Sequence, residues 1–226
     1  MGAHRIAFAA GAVFALLALC APPTGAQTRD PYDSGGVLGP DQAAYDALYY
    51  ALDVRVEPSD STIAGALVLT ARLESSADAI GLDLDPLLEV HAITVGAGAE
   101  LEAAAWTRDG GRITVPLPGD LRPGQIFAVR VEYGGMPRVA PRPPWDGGFT
   151  WARTGDGSPW IATSNQMIGA DVWWPVKDHV SDKPDSMSIR ITVPEPLFVA
   201  TNGRLRGTSQ PEPGYTTYDW FVSTPI

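Results

Sequence analysis

From Tyr49 onward apolar and polar side chains alternate in run after run, a two-residue period that suits strands and not helices. Tyr50, Leu52, Val54 and Val56 alternate with Ala51, Asp53, Arg55 and Glu57. Successive strand side chains point to opposite faces, so this run describes a half-buried strand. Ile63, Gly65, Leu67, Leu69, Ala71 and Leu73 repeat the register over a longer stretch, and Ile80, Leu82 and Leu84 do so again. Residues 89–95, 112–115, 125–133, 186–193, 197–201 and 215–222 are further strand candidates. Turn signals separate the runs: Pro58-Ser59-Asp60, Asp109-Gly110-Gly111, Arg122-Pro123-Gly124 and Asn202-Gly203. Only residues 42–48 suit a short helix, and no segment sustains a 3.6-residue period. The fold class expected is all-β, a sandwich or barrel of antiparallel strands.

One stretch breaks the rhythm. Residues 134–147 form a Pro-rich loop unsuited to a central strand. After it, Phe149-Thr150-Trp151-Ala152-Arg153 and Trp160-Ile161-Ala162-Thr163 flank Thr154-Gly155-Asp156-Gly157-Ser158, which reads as a hairpin. Five of the seven tryptophans lie between Trp145 and Trp174. They suit either a stacking platform for a ligand or the core where two sheets meet.

The first 26 residues read as a secretory signal. Arg5 precedes fifteen apolar residues, Ile6 to Cys20, too few to span the roughly 30 Å of a bilayer core comfortably. Pro22 and Pro23 then break the helix, and Thr24-Gly25-Ala26 supplies small residues for cleavage before Gln27. A lipoprotein signal ending at Cys20 is the rival reading. Residues 27–44 look like a flexible lead-in and 45–226 like the folded domain. Cleavage removes the only cysteine and takes the net charge from −10 to −11, because Arg5 leaves with the signal. Such a charge disfavours nucleic acid or an anionic membrane surface as partner, and no later apolar run suits stable membrane insertion.

Little in the chain suits catalysis by itself. The histidines left after cleavage are His91 and His179. A catalytic zinc commonly takes three protein ligands, two of them one helical turn apart, and the sequence has no HExxH and no CxxC. His91 reads as a surface residue of a strand. His179 lies in Lys177-Asp178-His179-Val180-Ser181-Asp182-Lys183-Pro184-Asp185, which could hold a metal or a base but reads better as a rigid loop whose Asp side chains cap turns. No serine occupies a G-x-S-x-G elbow. Gly96-Ala97-Gly98-Ala99-Glu100 lacks the third glycine and the helix of a dinucleotide fingerprint.

A family resemblance emerges from one long segment. Gly147-Gly148-Phe149-Thr150-Trp151, Gly157-Ser158-Pro159-Trp160-Ile161 and Gln166-Met167-Ile168-Gly169-Ala170-Asp171-Val172-Trp173-Trp174-Pro175, running on into the Lys177–Met187 stretch, resemble the N-terminal domain of the aminopeptidase N-like zinc peptidases (gluzincins), and the bacterial secreted branch in particular. An I-x-L-D-L-D run, a V-E-Y-x-G segment, the hairpin and a closing N-G-R-L turn with D-W-F-V-S follow in family order. The resemblance covers residues 45–226.

It implies a saddle-shaped β-sandwich that covers one side of a catalytic zinc domain and lends one loop to the peptide-substrate cleft. Gln166 matches the family's substrate-contacting Gln or Glu. Here it is Gln rather than the Glu of many strict aminopeptidases, and Asp171 stands where many relatives have Arg. The family's glycine-rich exopeptidase motif, HExxH and third zinc ligand all lie beyond the position matching Ile226. The chain is therefore read as an exported, periplasmic or secreted accessory domain of a truncated enzyme. Its expected partners are its own catalytic domain and a peptide substrate, with zinc in the missing part and no catalytic or metal-ligating residue in this segment. Two alternatives stay open: a free-standing peptide- or glycan-binding module built on the tryptophans, and a structural domain of a membrane-side assembly.

Overall fold

A computed structural model of the chain describes residues 37–98, 100–166 and 168–225. The expected signal, residues 1–26, lies outside these. The expectation of an all-β sandwich is met. The strands, in chain order, are β1 (Tyr45–Glu57), β2 (Thr62–Leu73), β3 (Ala79–Asp83), β4 (Glu89–Gly96), β5 (Glu102–Ala103), β6 (Thr107–Asp109), β7 (Arg112–Pro116), β8 (Ile126–Gly135), β9 (Gly148–Arg153), β10 (Pro159–Ser164), β11 (Ser186–Pro194), β12 (Arg204–Ser209) and β13 (Tyr215–Val222). Eight form one large sheet in the order β12-β13-β11-β1-β2-β8-β4-β5. Three form a smaller sheet, β3-β7-β6, and β9 with β10 make a separate hairpin. Every named pair is antiparallel except β1 with β11, which is parallel, so the large sheet is mixed. Parallel neighbours need a long crossover, and here everything from β2 to Asp185 lies between them.

The alternation read from the sequence is the packing. Tyr50, Leu52, Val54 and Val56 are buried, as are Ile63, Leu67 and Leu69 opposite them and Ala71 and Leu73 opposite Ala47 and Tyr45. Ile80 and Leu82 of β3 and Ile113 and Val115 of β7 join the same core, which therefore lies between the two sheets. Tyr45 ties the layers, its hydroxyl donating to the Gly81 carbonyl at 2.9 Å. Gly65 is required where β2 crosses β1, because a Cβ there would run into the Asp53 carbonyl. A bulge between Ala47 and Tyr49 shifts the inward parity from Tyr45 and Ala47 to Tyr50 and Leu52. The Leu48 carbonyl, freed by the bulge, accepts from the Asp185 amide at 2.9 Å.

Two local expectations are corrected, and one strand had no expectation to correct. The short helix, α1 (Pro40–Ala43), lies earlier than residues 42–48, since Pro40 is preset for a helix start and pairing with Leu73 draws Tyr45 into β1. Residues 197–201 are not a strand, and the partners of β13 are β11 and β12. The Tyr218 hydroxyl donates to the Leu197 carbonyl, at 3.1 Å. The true edge strand, β12, has no buried residue, and so no alternation marks it.

Candidate functional site

The site predicted from sequence lies where the hairpin leaves the sandwich. Phe149 of β9 is buried, and Trp151 stacks on it with centroids 5.2 Å apart. The hairpin loop is closed by the Thr154 amide donating to Ser158 O at 2.9 Å and the Gly157 amide donating to Thr154 O at 2.9 Å. Gln166 follows two residues after the end of β10, in a turn, with its side chain exposed. The Gly169 amide donates to Asn165 O at 3.1 Å and closes that turn. Gly169 has φ +88°, and a Cβ there would clash with the Asp178 carboxylate, so only glycine fits. The Ala170 amide points to Asp178 Oδ1 at 3.4 Å.

The tryptophan pair does not form a strand. The amides of Trp173 and Trp174 both reach back to Ala170 O, at 3.1 and 3.3 Å, which makes the segment a turn. The two rings nonetheless part company. Trp174 is 8% exposed and packs edge-on against Tyr50, whereas Trp173 is half-buried against Phe149. Trp145 and Trp160 stand in solvent, 74% and 58% exposed. The five tryptophans therefore divide, and neither reading of them covers all five.

Beneath the Gln166 loop lies a set of carboxylates. Val176 exchanges backbone hydrogen bonds with Asp83, at 2.7 and 3.0 Å, and anchors the chain to β3. Asp83 accepts from Gln42 Nε2 at 2.5 Å and from the Asp178 amide at 3.2 Å, and pairs with Arg112 at 3.2 Å. Burial raises its pKa, while Arg112 pulls the other way. Asp85 pairs with Arg138 at 2.5 Å. Asp171, only 2% exposed, has an Oδ1 with no hydrogen-bond partner among the described residues. Burial first, then the charges of Asp178, Asp83 and Asp85, push its carboxyl up to about 8, with Arg138 opposing. Sequence reading noted Asp171 only as a departure from relatives. No local pattern signals that its carboxylate is buried.

The Lys177–Asp185 loop is a structural lock. The Lys177 ammonium is buried, donates to Tyr45 O at 2.5 Å, pairs with Asp182, and lies 4.4 Å from the Tyr45 ring centroid. Asp182 also accepts from the Ala47 amide at 3.2 Å. His179 Nδ1 meets Ser181 Oγ at 2.7 Å and accepts from the Ser181 amide at 3.2 Å, capping its own turn. His91 is exposed on β4, remote in sequence from this loop, at a register slip between Val90 and Ala92. Among the described residues no group of three or more His, Cys, Asp or Glu is placed to hold a metal ion. No helix among them is long and apolar enough to cross a membrane.

An all-β sandwich with a hairpin and a polar loop on its flank defines the class of domain. The chain's fold is similar to that of solved M1 zinc metallopeptidases. One from Deinococcus radiodurans aligns over 83% of this chain and 40% of its own, at 24% identity and a TM-score of 0.66. A mutant form from the same organism, bound to a Tyr-Ser-Ala substrate, aligns over 84% of this chain and 41% of its own, at 26% identity and a TM-score of 0.66. A two-domain M1 zinc metallopeptidase mutant bound to L-arginine gives the same figures. No family model and no curated protein matches the chain. The chain thus spans about two-fifths of the length of the structures it resembles. The likeness bears out the resemblance read from sequence, to an N-terminal domain of aminopeptidase N-like M1 metallopeptidases.

Proposed function

We propose that this chain is the N-terminal β-sandwich of an exported zinc aminopeptidase, that it covers one side of the catalytic domain, and that it presents Gln166 to the substrate. The observation that carries the reading is the exposed Gln166 amide, set in a glycine-closed turn at the end of β10 on a rigid sandwich. Loops held by such scaffolds commonly carry binding contacts. A neutral amide accepts from a substrate ammonium and donates to a carbonyl, and it holds an amino end less strongly than a carboxylate. Metal-activated water and its base come from residues outside this sequence. In the full-length enzyme, Gln166→Ala lowers kcat/KM by about tenfold or more, roughly the 1.4 kcal/mol of one polar contact, with thermal stability nearly unchanged. Gln166→Glu keeps or improves activity on free amino ends. Kinetics within about twofold of wild type for the alanine variant return Gln166 to a solvated turn. Export with cleavage after Ala26 is part of the proposal. N-terminal sequencing that begins at Cys20 rather than Gln27 refutes it.

The exposed rings of Trp145 and Trp160 favour a second reading, a binding module for peptides or glycans. Saturable quenching of indole fluorescence by such ligands, lost in Trp145→Ala and Trp160→Ala, supports it. No quenching dismisses it.

A further inference from the structure

In this acidic chain one sheet edge carries local positive charge. Strand β12 ends the large sheet, and all its residues are exposed. Arg204 stands opposite Phe221 in register. Past Leu205 the ladder slips by one residue, so Gly207 rather than Arg206 faces Asp219. Bulges of this kind re-aim a side chain, and here the Arg206 guanidinium lies 3.7 Å over the Phe221 ring. Stacking uses the face of the guanidinium and leaves its in-plane N–H donors for a planar or tetrahedral oxyanion.

Arg204, Leu205, Arg206 and Phe221 line a groove of about 400 Å³. An adjoining groove of about 390 Å³ shares Arg204 and Phe221. Other arginines of the large sheet face carboxylates: Arg55 faces Glu57 and Glu212, Arg130 faces Glu132, and Arg190 faces Asp53. Among the described residues no ion pair engages Arg204 or Arg206, and neighbouring Asp219 pairs with neither.

We propose that Arg204 and Arg206, set about Phe221, form an oxyanion-binding site that takes a phosphate or carboxylate group of a ligand between the two guanidiniums. The stacked guanidinium loses little further freedom on binding, and arginine forks match both anions in a bidentate manner. The site is independent of the Gln166 reading and lies on a different element.

The test is a titration of the isotope-labelled chain, following the arginine Nε–H and Phe221 amide signals. One arm adds inorganic phosphate, a second a triglutamate peptide, and a control adds sodium chloride at matched ionic strength. A saturable shift beyond the chloride control is expected in at least one arm, weakened about tenfold or more in the Arg204→Gln, Arg206→Gln double variant. A response to phosphate alone assigns a phosphate ligand, and a response to the peptide alone assigns an acidic chain. If the double variant fails to fold, the Arg→Lys pair keeps the charge and loses the fork, and weakens phosphate several-fold. Shifts no larger than with chloride, or affinity unchanged in the variants, overturn the proposal. The arginines would then serve only to keep an exposed edge strand from pairing with another chain.

Discussion

Trp174 meets the Tyr50 ring edge-on, with centroids 5.1 Å apart and planes at 75°, and so plugs the turn after the Gln166 loop into the core that β1 builds. Trp173, its neighbour in sequence, meets Trp174 edge-on at 6.4 Å and Phe149 at 6.3 Å, on the side of the hairpin.

The first prediction rests on that division. Trp174→Ala removes a buried ring and leaves a cavity, at a cost of about 3–5 kcal/mol. Trp173→Ala, at a half-buried site, costs clearly less. Urea denaturation of both variants decides it, and equal midpoints for the two would show that the rings are not differently packed.

The second prediction concerns pH. In the folded chain the Asp171 carboxyl titrates near 8, against an ordinary 3.8. The folded state therefore holds a proton that the unfolded chain releases. The stability tied to that proton is fully present below pH 3.8 and is lost as pH rises through 8. Asp171→Asn, neutral at every pH and similar in volume, stabilises the chain at pH 8.5 by about 2 kcal/mol, with a much smaller gain near pH 4.5. Unfolding curves at the two pH values provide the comparison. A difference between variant and wild type that does not change with pH refutes the burial of this charge.

The third prediction addresses the lock on β1. Lys177 is buried and Asp182 mostly so, and Lys177 also holds Tyr45 O. Lys177→Met leaves the Asp182 carboxylate without its cation, at a cost of about 3–5 kcal/mol, as removing one partner of a buried pair commonly does. The double variant with Asp182→Leu recovers much of that loss, since two apolar groups need no partner. Additive losses in the double-mutant cycle would mean that the pair is not energetically coupled.

Much of the fold was legible because a strand writes its buried face into its own sequence. Tyr50 to Val56 and Ile63 to Leu73 alternate in sequence and are buried in that pattern. The hairpin was legible too, since Thr154-Gly155-Asp156-Gly157-Ser158 marks its turn between two aromatic runs. The turn-capping role of the Lys177–Asp185 loop followed from its polar and turn-forming residues, whereas Gln166 was singled out only by the family resemblance. The hidden features depend on partners far away in sequence. Strand β12 has no inward face to reveal it, and residues 197–201 form an apolar run like that of a buried strand yet stay outside the sheet.

The same contrast separates the two determinants of this protein. The sequence alone determined an all-β chain, the inward faces of its main strands and the order of motifs through Gln166, because period, turn chemistry and motif are local properties. The tertiary structure alone decided that β1 and β11 run parallel, that Trp174 is core while Trp160 is not, that Asp171 is a buried acid, and that Arg206 lies on Phe221. Burial and charge coupling are set by what the rest of the chain brings alongside a residue, which its sequence neighbours do not specify.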